Sequence, residues 1–211
     1  MPIQDRPASA PSPQIVGFAR APQFKPLDRF QVFGERRSGT NLLERLIAQN
    51  TALTAGRDHG WKHGVPAYPV FPQQCLFLVI VRHPLDWMAS LYRAPFEAHR
   101  RLTRLPFDQF LPAEWEGLYL PVRTKWDRIG HDVDLAIAKR EILQLDRQPL
   151  DGRRFRYVAE MRAVKLRGHL SFLARDVNAA VLRYEDLARD QAGSWHCYCR
   201  FLICQYPRRR P

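Results

Sequence analysis

Gly34-Glu-Arg-Arg-Ser-Gly-Thr40 has the residue types of an anion site. It stands between a predicted strand and a predicted helix, where backbone N–H groups and a helix N-terminus converge on one point. Gly34 and Gly39 permit a tight turn and close approach. The glycine spacing is that of a Walker A loop, G-x-x-x-x-G-K-[ST], but Thr40 occupies the lysine position. That lysine serves the β- and γ-phosphates of a nucleoside triphosphate. Its replacement argues against ATP or GTP hydrolysis and leaves a cradle suited to a shorter terminal anion. Arg37 lies inside the loop, where its planar fork can hold a phosphate or sulfonyl group. The competing reading is a plain turn with solvated arginines.

A second pair comes from Val79 to Tyr92, where Arg82 ends an apolar run and Ser90 follows eight residues later. Open α/β sheets take ligands at the carboxyl ends of parallel strands, which puts Arg82 at a ligand edge. Ser90 falls on the same side of the following helix as Asp86. The alternative is an Arg82–Asp86 ion pair with Ser90 as a spacer.

The elements that must position these groups are legible in part. Phe30-Gln31-Val32-Phe33 reads as a short strand ending at Gly34. Thr40 or Asn41 can cap a helix whose stripe is Leu42, Leu43, Leu46 and Ile47, stopping at Asn50. Cys75 to Val81 is apolar throughout and fits a strand covered on both faces. Pro84 suits the first turn of the next helix. Phe107 to Leu111 is a short helical piece, Arg154 to Arg175 the longest helical pattern, and Asn178 to Arg183 a second core strand. Alternating strands and helices predict a three-layer, P-loop-like α/β fold with a mainly parallel central sheet flanked by helices.

Residues 1–28 hold six of the 17 prolines and read as a disordered leader; 29–190 form the α/β domain; 191–211 make an irregular, basic, Cys-containing tail. There are 33 Lys and Arg against 21 Asp and Glu, a formal charge of +12, so an anionic partner is implied. Only 4 cysteines occur, three of them at 197, 199 and 204, which excludes a disulfide scaffold and fits a reducing, cytoplasmic setting. No stretch reads as a membrane span, since the longest uncharged one carries Pro66, Pro69 and Pro72. His196, Cys197, Cys199 and Cys204 lack a metal-site spacing, and no metal is expected. The basic stretch Arg93 to Arg104 has no accompanying nucleic-acid module; it reads as a rim that steers anions, and no nucleic-acid partner is expected. Arg162 and Lys165, three apart on one helical face, could meet an anionic acceptor but read more simply as a solvated face.

Together the two anion motifs resemble the cofactor signature of the sulfotransferases that use 3′-phosphoadenosine 5′-phosphosulfate (PAPS). In that family a (K/R)-S-G-T loop binds the 5′-phosphosulfate and an R-x₇-S strand end binds the 3′-phosphate. Here these match Arg37-Ser38-Gly39-Thr40, and Arg82 with Ser90. A later Y-E-D-hydrophobic element matches Tyr184-Glu185-Asp186-Leu187. The likeness is strongest to bacterial sulfotransferase-like proteins carrying G-E-R-x-S-G-T-N, W-K-H-G and V-R-x-P-x-D-W, and it spans Phe30 to Leu187.

The resemblance implies PAPS as co-substrate and a small-molecule or glycan acceptor. It implies cofactor contacts from Arg36, Arg37, Ser38, Gly39, Thr40, Asn41, Arg82 and Ser90. It implies catalytic roles for His63 as base, Arg37 at the departing phosphate, and Lys62 on the sulfonyl oxygens or donor. His59 is a weaker rival base. The chain lacks the C-terminal R-K-G-x-x-G segment of animal cytosolic relatives. A nucleotide-binding relative impaired in turnover is therefore the alternative, and a P-loop kinase or NTPase the next.

Overall fold

The computed structural model describes residues 15–21, 26–118 and 144–189. In chain order these form β1 (Ile15–Ala19), β2 (Arg29–Phe33), α1 (Thr40–Asn50), β3 (Thr54–Ala55), β4 (Cys75–Val81) and α2 (Pro84–Arg93). There follow α3 (Arg100–Thr103), α4 (Phe107–Phe110), β5 (Gly117–Leu118), β6 (Gln144–Leu145), α5 (Val158–Leu170), a 3₁₀ turn (Ser171–Ala174), β7 (Asn178–Arg183) and α6 (Tyr184–Arg189).

The main sheet has the order β1-β7-β4-β2-β3. β7, β4, β2 and β3 run parallel, and β1 joins the β7 edge antiparallel. The unbroken apolar run of β4 is explained by burial on both sides. Leu76, Leu78 and Ile80 meet Leu43 and Ile47 of α1, while Phe77 and Val79 meet Phe172 on the opposite face. Phe77 and Phe172 stack with centroids 4.9 Å apart. A further cluster of Trp87, Phe110, Trp115, Phe155 and Met161 joins α2, α4 and α5. The result is a five-stranded, mostly parallel sheet flanked by helices.

Four sequence expectations are corrected. Residues 15–19, assigned by composition to the leader, form β1; its pairing with Ala179–Leu182 satisfies a backbone edge that the Pro count gives no hint of. Gly39, not a Thr40 or Asn41 side chain, caps α1. The helix expected over Arg154 to Arg175 spans only Val158–Leu170, because the chain tightens into the 3₁₀ turn that delivers Phe172 to the core. Its buried face is Val158, Met161, Lys165 and His169, whereas Leu170 and Leu173 are each 37% exposed. Arg162 and Lys165 therefore do not form a solvated face. The tail cysteines lie outside the described residues.

Candidate functional site

β2, β4 and β7 are parallel neighbours, so their carboxyl ends lie side by side at one sheet edge. Gly34, Arg82 and Tyr184 each follow one of these strands, and this brings together segments far apart in sequence. Gly34 is required at the first exit, since a Cβ there would sit 2.6 Å from the Ile80 carbonyl oxygen. Gly39 is required at the turn into α1: its φ is +91°, and a Cβ would meet the Tyr184 ring at 2.5 Å. Arg37 also takes positive φ (66°), a strained conformation for a residue with a side chain.

An open cleft of about 1640 Å³ lies over this edge, with Arg37, Gly39, Thr40, Asn41, Lys62, His63, Arg82 and Tyr184 in its lining. Thr40, Asn41 and Leu42 open α1, so helix geometry leaves their N–H groups without intrahelical acceptors. The two anion motifs touch directly. Arg82 Nη1 donates to the Arg37 carbonyl at 2.9 Å, and Arg37 Nε donates to Ser90 Oγ at 3.2 Å. The Arg82 guanidinium lies 4.4 Å over the Tyr184 ring, while Asp86 faces His83 instead of Arg82. Lys62 Nζ donates to Asn41 Oδ1 at 2.5 Å and to Glu44 Oε2 at 3.2 Å, which holds a cation beside the start of α1.

Ser38 lies outside the cleft lining, whereas Arg36 is part of it but is tied down by partners. Ser38 is fully buried, with its amide bonded to Glu35 O at 3.2 Å. The Arg36 side chain is buried and pairs with Asp146 Oδ2 at 2.5 Å and with Glu97. Its carbonyl accepts Trp87 Nε1 at 2.8 Å.

His63 is anchored on the loop. Its Nδ1 lies 2.7 Å from the Gly34 carbonyl, and Gly34 N donates back to Lys62 O at 3.0 Å. A carbonyl oxygen can only accept, so Nδ1 carries the proton and Nε2 keeps its lone pair. Burial, with Arg36, Lys165 and Lys62 nearby, pulls His63 down to about 3. His59 is a weaker base candidate on geometry as well: it is buried and bonded through its ring to Gln31 Oε1 at 3.1 Å.

Sequence reasoning missed the charged layer behind the loop. Asp146 accepts hydrogen bonds from Lys165, Arg36 and, at 2.9 Å, Trp115 Nε1. Burial alone would raise the Asp146 carboxyl, but Lys165 and Arg36 overcome it and hold the group far below the usual carboxylate range. Glu35 pairs with Arg162 at 2.7 Å, yet burial dominates and raises it to about 7. The only sequence signal for this layer was the spacing of Arg162 and Lys165.

His169 behaves like His63: burial lowers it to about 4, and its Nε2 lies 2.9 Å from Gly64 O. Both histidines resist protonation in the folded state, so they contribute stability above their unfolded value near 6.5 that is lost as pH falls toward 4 and 3. Glu35 has the opposite sign, its contribution fading as pH rises from 4.5 to about 7. With two histidines against one carboxyl, the thermal midpoint should fall between pH 6.5 and 4.5. A His169→Gln variant should fall less steeply; parallel curves would remove His169 from this account.

Among the described residues no group of three or more His, Cys, Asp or Glu is placed to hold a metal ion, and no helix is long and apolar enough to cross a membrane. Compared with family models, with curated proteins and with solved structures, the chain finds no match.

Proposed function

We propose that the protein is a sulfotransferase that moves a sulfonyl group from PAPS to a hydroxyl or amine acceptor, on a P-loop-like frame. The observation that carries this reading is that Arg37 and Arg82, from two separate motifs, line one cleft together with the start of α1, Lys62 and His63. A nucleotide with anions at both ends needs two such basic ends. Here they are the α1 N-terminus with Arg37 and Lys62, and Arg82; Ser90 is buried outside the lining and braces Arg37 from behind.

The donor supplies an activated sulfonyl group that leaves a phosphate behind. His63 Nε2, its tautomer fixed by Gly34 O, takes the acceptor proton as the acceptor oxygen or nitrogen bonds to sulfur. Arg37 and the first N–H groups of α1 neutralise the bridging oxygen as its bond to sulfur breaks. Lys62, which lines the cleft, would turn from Asn41 to the same oxygens. Thr40 in place of a Walker lysine weighs against a kinase or NTPase, although Lys62 brings a cation to the same helix start from another segment. The low basicity of His63 is what favours the second reading, binding without turnover.

Calorimetry with adenosine 3′,5′-bisphosphate, 5′-AMP and ATP tests the reading. The bisphosphate should bind best. Arg82→Ala should weaken it by about 10- to 100-fold, the loss of a charge-assisted contact, and leave 5′-AMP nearly unchanged. Equal binding of bisphosphate and 5′-AMP to the unaltered protein would overturn the proposal.

A further inference from the structure

Arg162 takes no part in the chemistry above, yet its guanidinium is among the most constrained groups near the cleft. Nη1 donates to Glu35 Oε2 at 2.7 Å, and Nη2 donates to the Arg82 carbonyl at 2.5 Å. Its plane lies 4.7 Å from the Trp87 ring centre, and the side chain is 11% exposed. One rigid fork thus holds the loop after β2, the end of β4 and a face of α2.

Those are the segments that carry the two basic ends of the cleft. The β2–β4 ladder stops at Phe33 and Val79, so beyond it no ladder sets how far apart Arg37 and Arg82 lie. Side chains must do it. The Arg82–Arg37 and Trp87–Arg36 hydrogen bonds act from within the two segments. Arg162 acts from α5, outside both, and a helix whose Val158 and Met161 are buried in one cluster with α2 and α4 is a stiff anchor. A buried ion pair adds little net stability over apolar residues of similar volume, so the effect of this arrangement is positional. Lysine cannot replace it, because a single ammonium lacks a planar fork able to span both acceptors.

We infer that Arg162 is a positioning residue that fixes the spacing between the two anion-holding ends and so sets the preference for a nucleotide with phosphate at both 3′ and 5′ positions over one with a single phosphate. This rests on the sulfotransferase reading of the cleft.

The test is calorimetry of the full chain, Arg162→Lys and Arg162→Met, with adenosine 3′,5′-bisphosphate and 5′-AMP, and circular dichroism to check folding. Arg162→Lys keeps a cation against Glu35, so it carries the test if Arg162→Met unfolds. The ratio of bisphosphate to 5′-AMP affinity should drop about tenfold or more in the variants, the scale of one charge-assisted hydrogen bond, while 5′-AMP affinity changes little. An unchanged ratio in a folded variant, or an equal loss for both nucleotides, overturns the positioning role alone. A full chain with no preference overturns the sulfotransferase reading, and the positioning role falls with it.

Discussion

Asp146→Ala should destabilise the fold by about 3–5 kcal/mol, the range for removing one partner of a buried ion pair. Asp146 has no exposed side-chain surface and accepts from Lys165, Arg36 and Trp115. Its removal strands Lys165 and leaves Arg36 with Glu97 alone, where the two cations are only 3% and 4% exposed. Lys165 is already biased toward its neutral form by burial, with Asp146 as the main influence restoring its charge. In the variant it can lose its proton; Arg36 cannot. Chemical denaturation measures the loss. Adding Lys165→Met to Asp146→Ala should recover part of it, because the two residues are in contact and their effects do not add. A loss below about 1 kcal/mol would mean the layer is reached by water.

The second large effect is on the turnover that the sulfotransferase proposal requires. His63→Ala should lower sulfonyl transfer by about 10²- to 10⁴-fold, the usual contribution of a positioned base, with bisphosphate affinity nearly unchanged. The basicity of His63 is central here. Burial and three nearby cations hold it near 3, too low for an efficient base. A bound dianion beside Lys62 and Arg37 offsets those cations and must raise it. Following the His63 ring by NMR during a pH titration, with and without adenosine 3′,5′-bisphosphate, should show the midpoint moving upward on binding. No movement, together with full activity in His63→Ala, would place the base elsewhere.

Much of the frame was legible because it rests on local signals. The apolar run Cys75–Val81 and the stretch Asn178–Arg183 appear as strands with the bounds read from sequence, and Pro84 opens its helix as its fixed φ favours. The neighbourhood of the two anion motifs followed from the rule that parallel strands gather their carboxyl ends. What stayed hidden depends on contacts across long sequence separations. Arg36, read from sequence as a cofactor contact, lines the cleft, yet its hold on Asp146, 110 positions away, has no local signal. The buried face of α5 reads as polar because Lys165 and His169 are satisfied by groups on other elements, Asp146 and Gly64. Hydrophobic periodicity has no means of registering a buried charge that has a partner.

The antiparallel strand at the sheet margin carries a practical consequence. A chain trimmed to start at Arg29, as the proline content invites, would bare the outer hydrogen-bonding groups of Asn178–Arg183 from Ala179 to Leu182. Such an unpaired margin is a template for intermolecular pairing, so the shortened protein should self-associate more than the full chain.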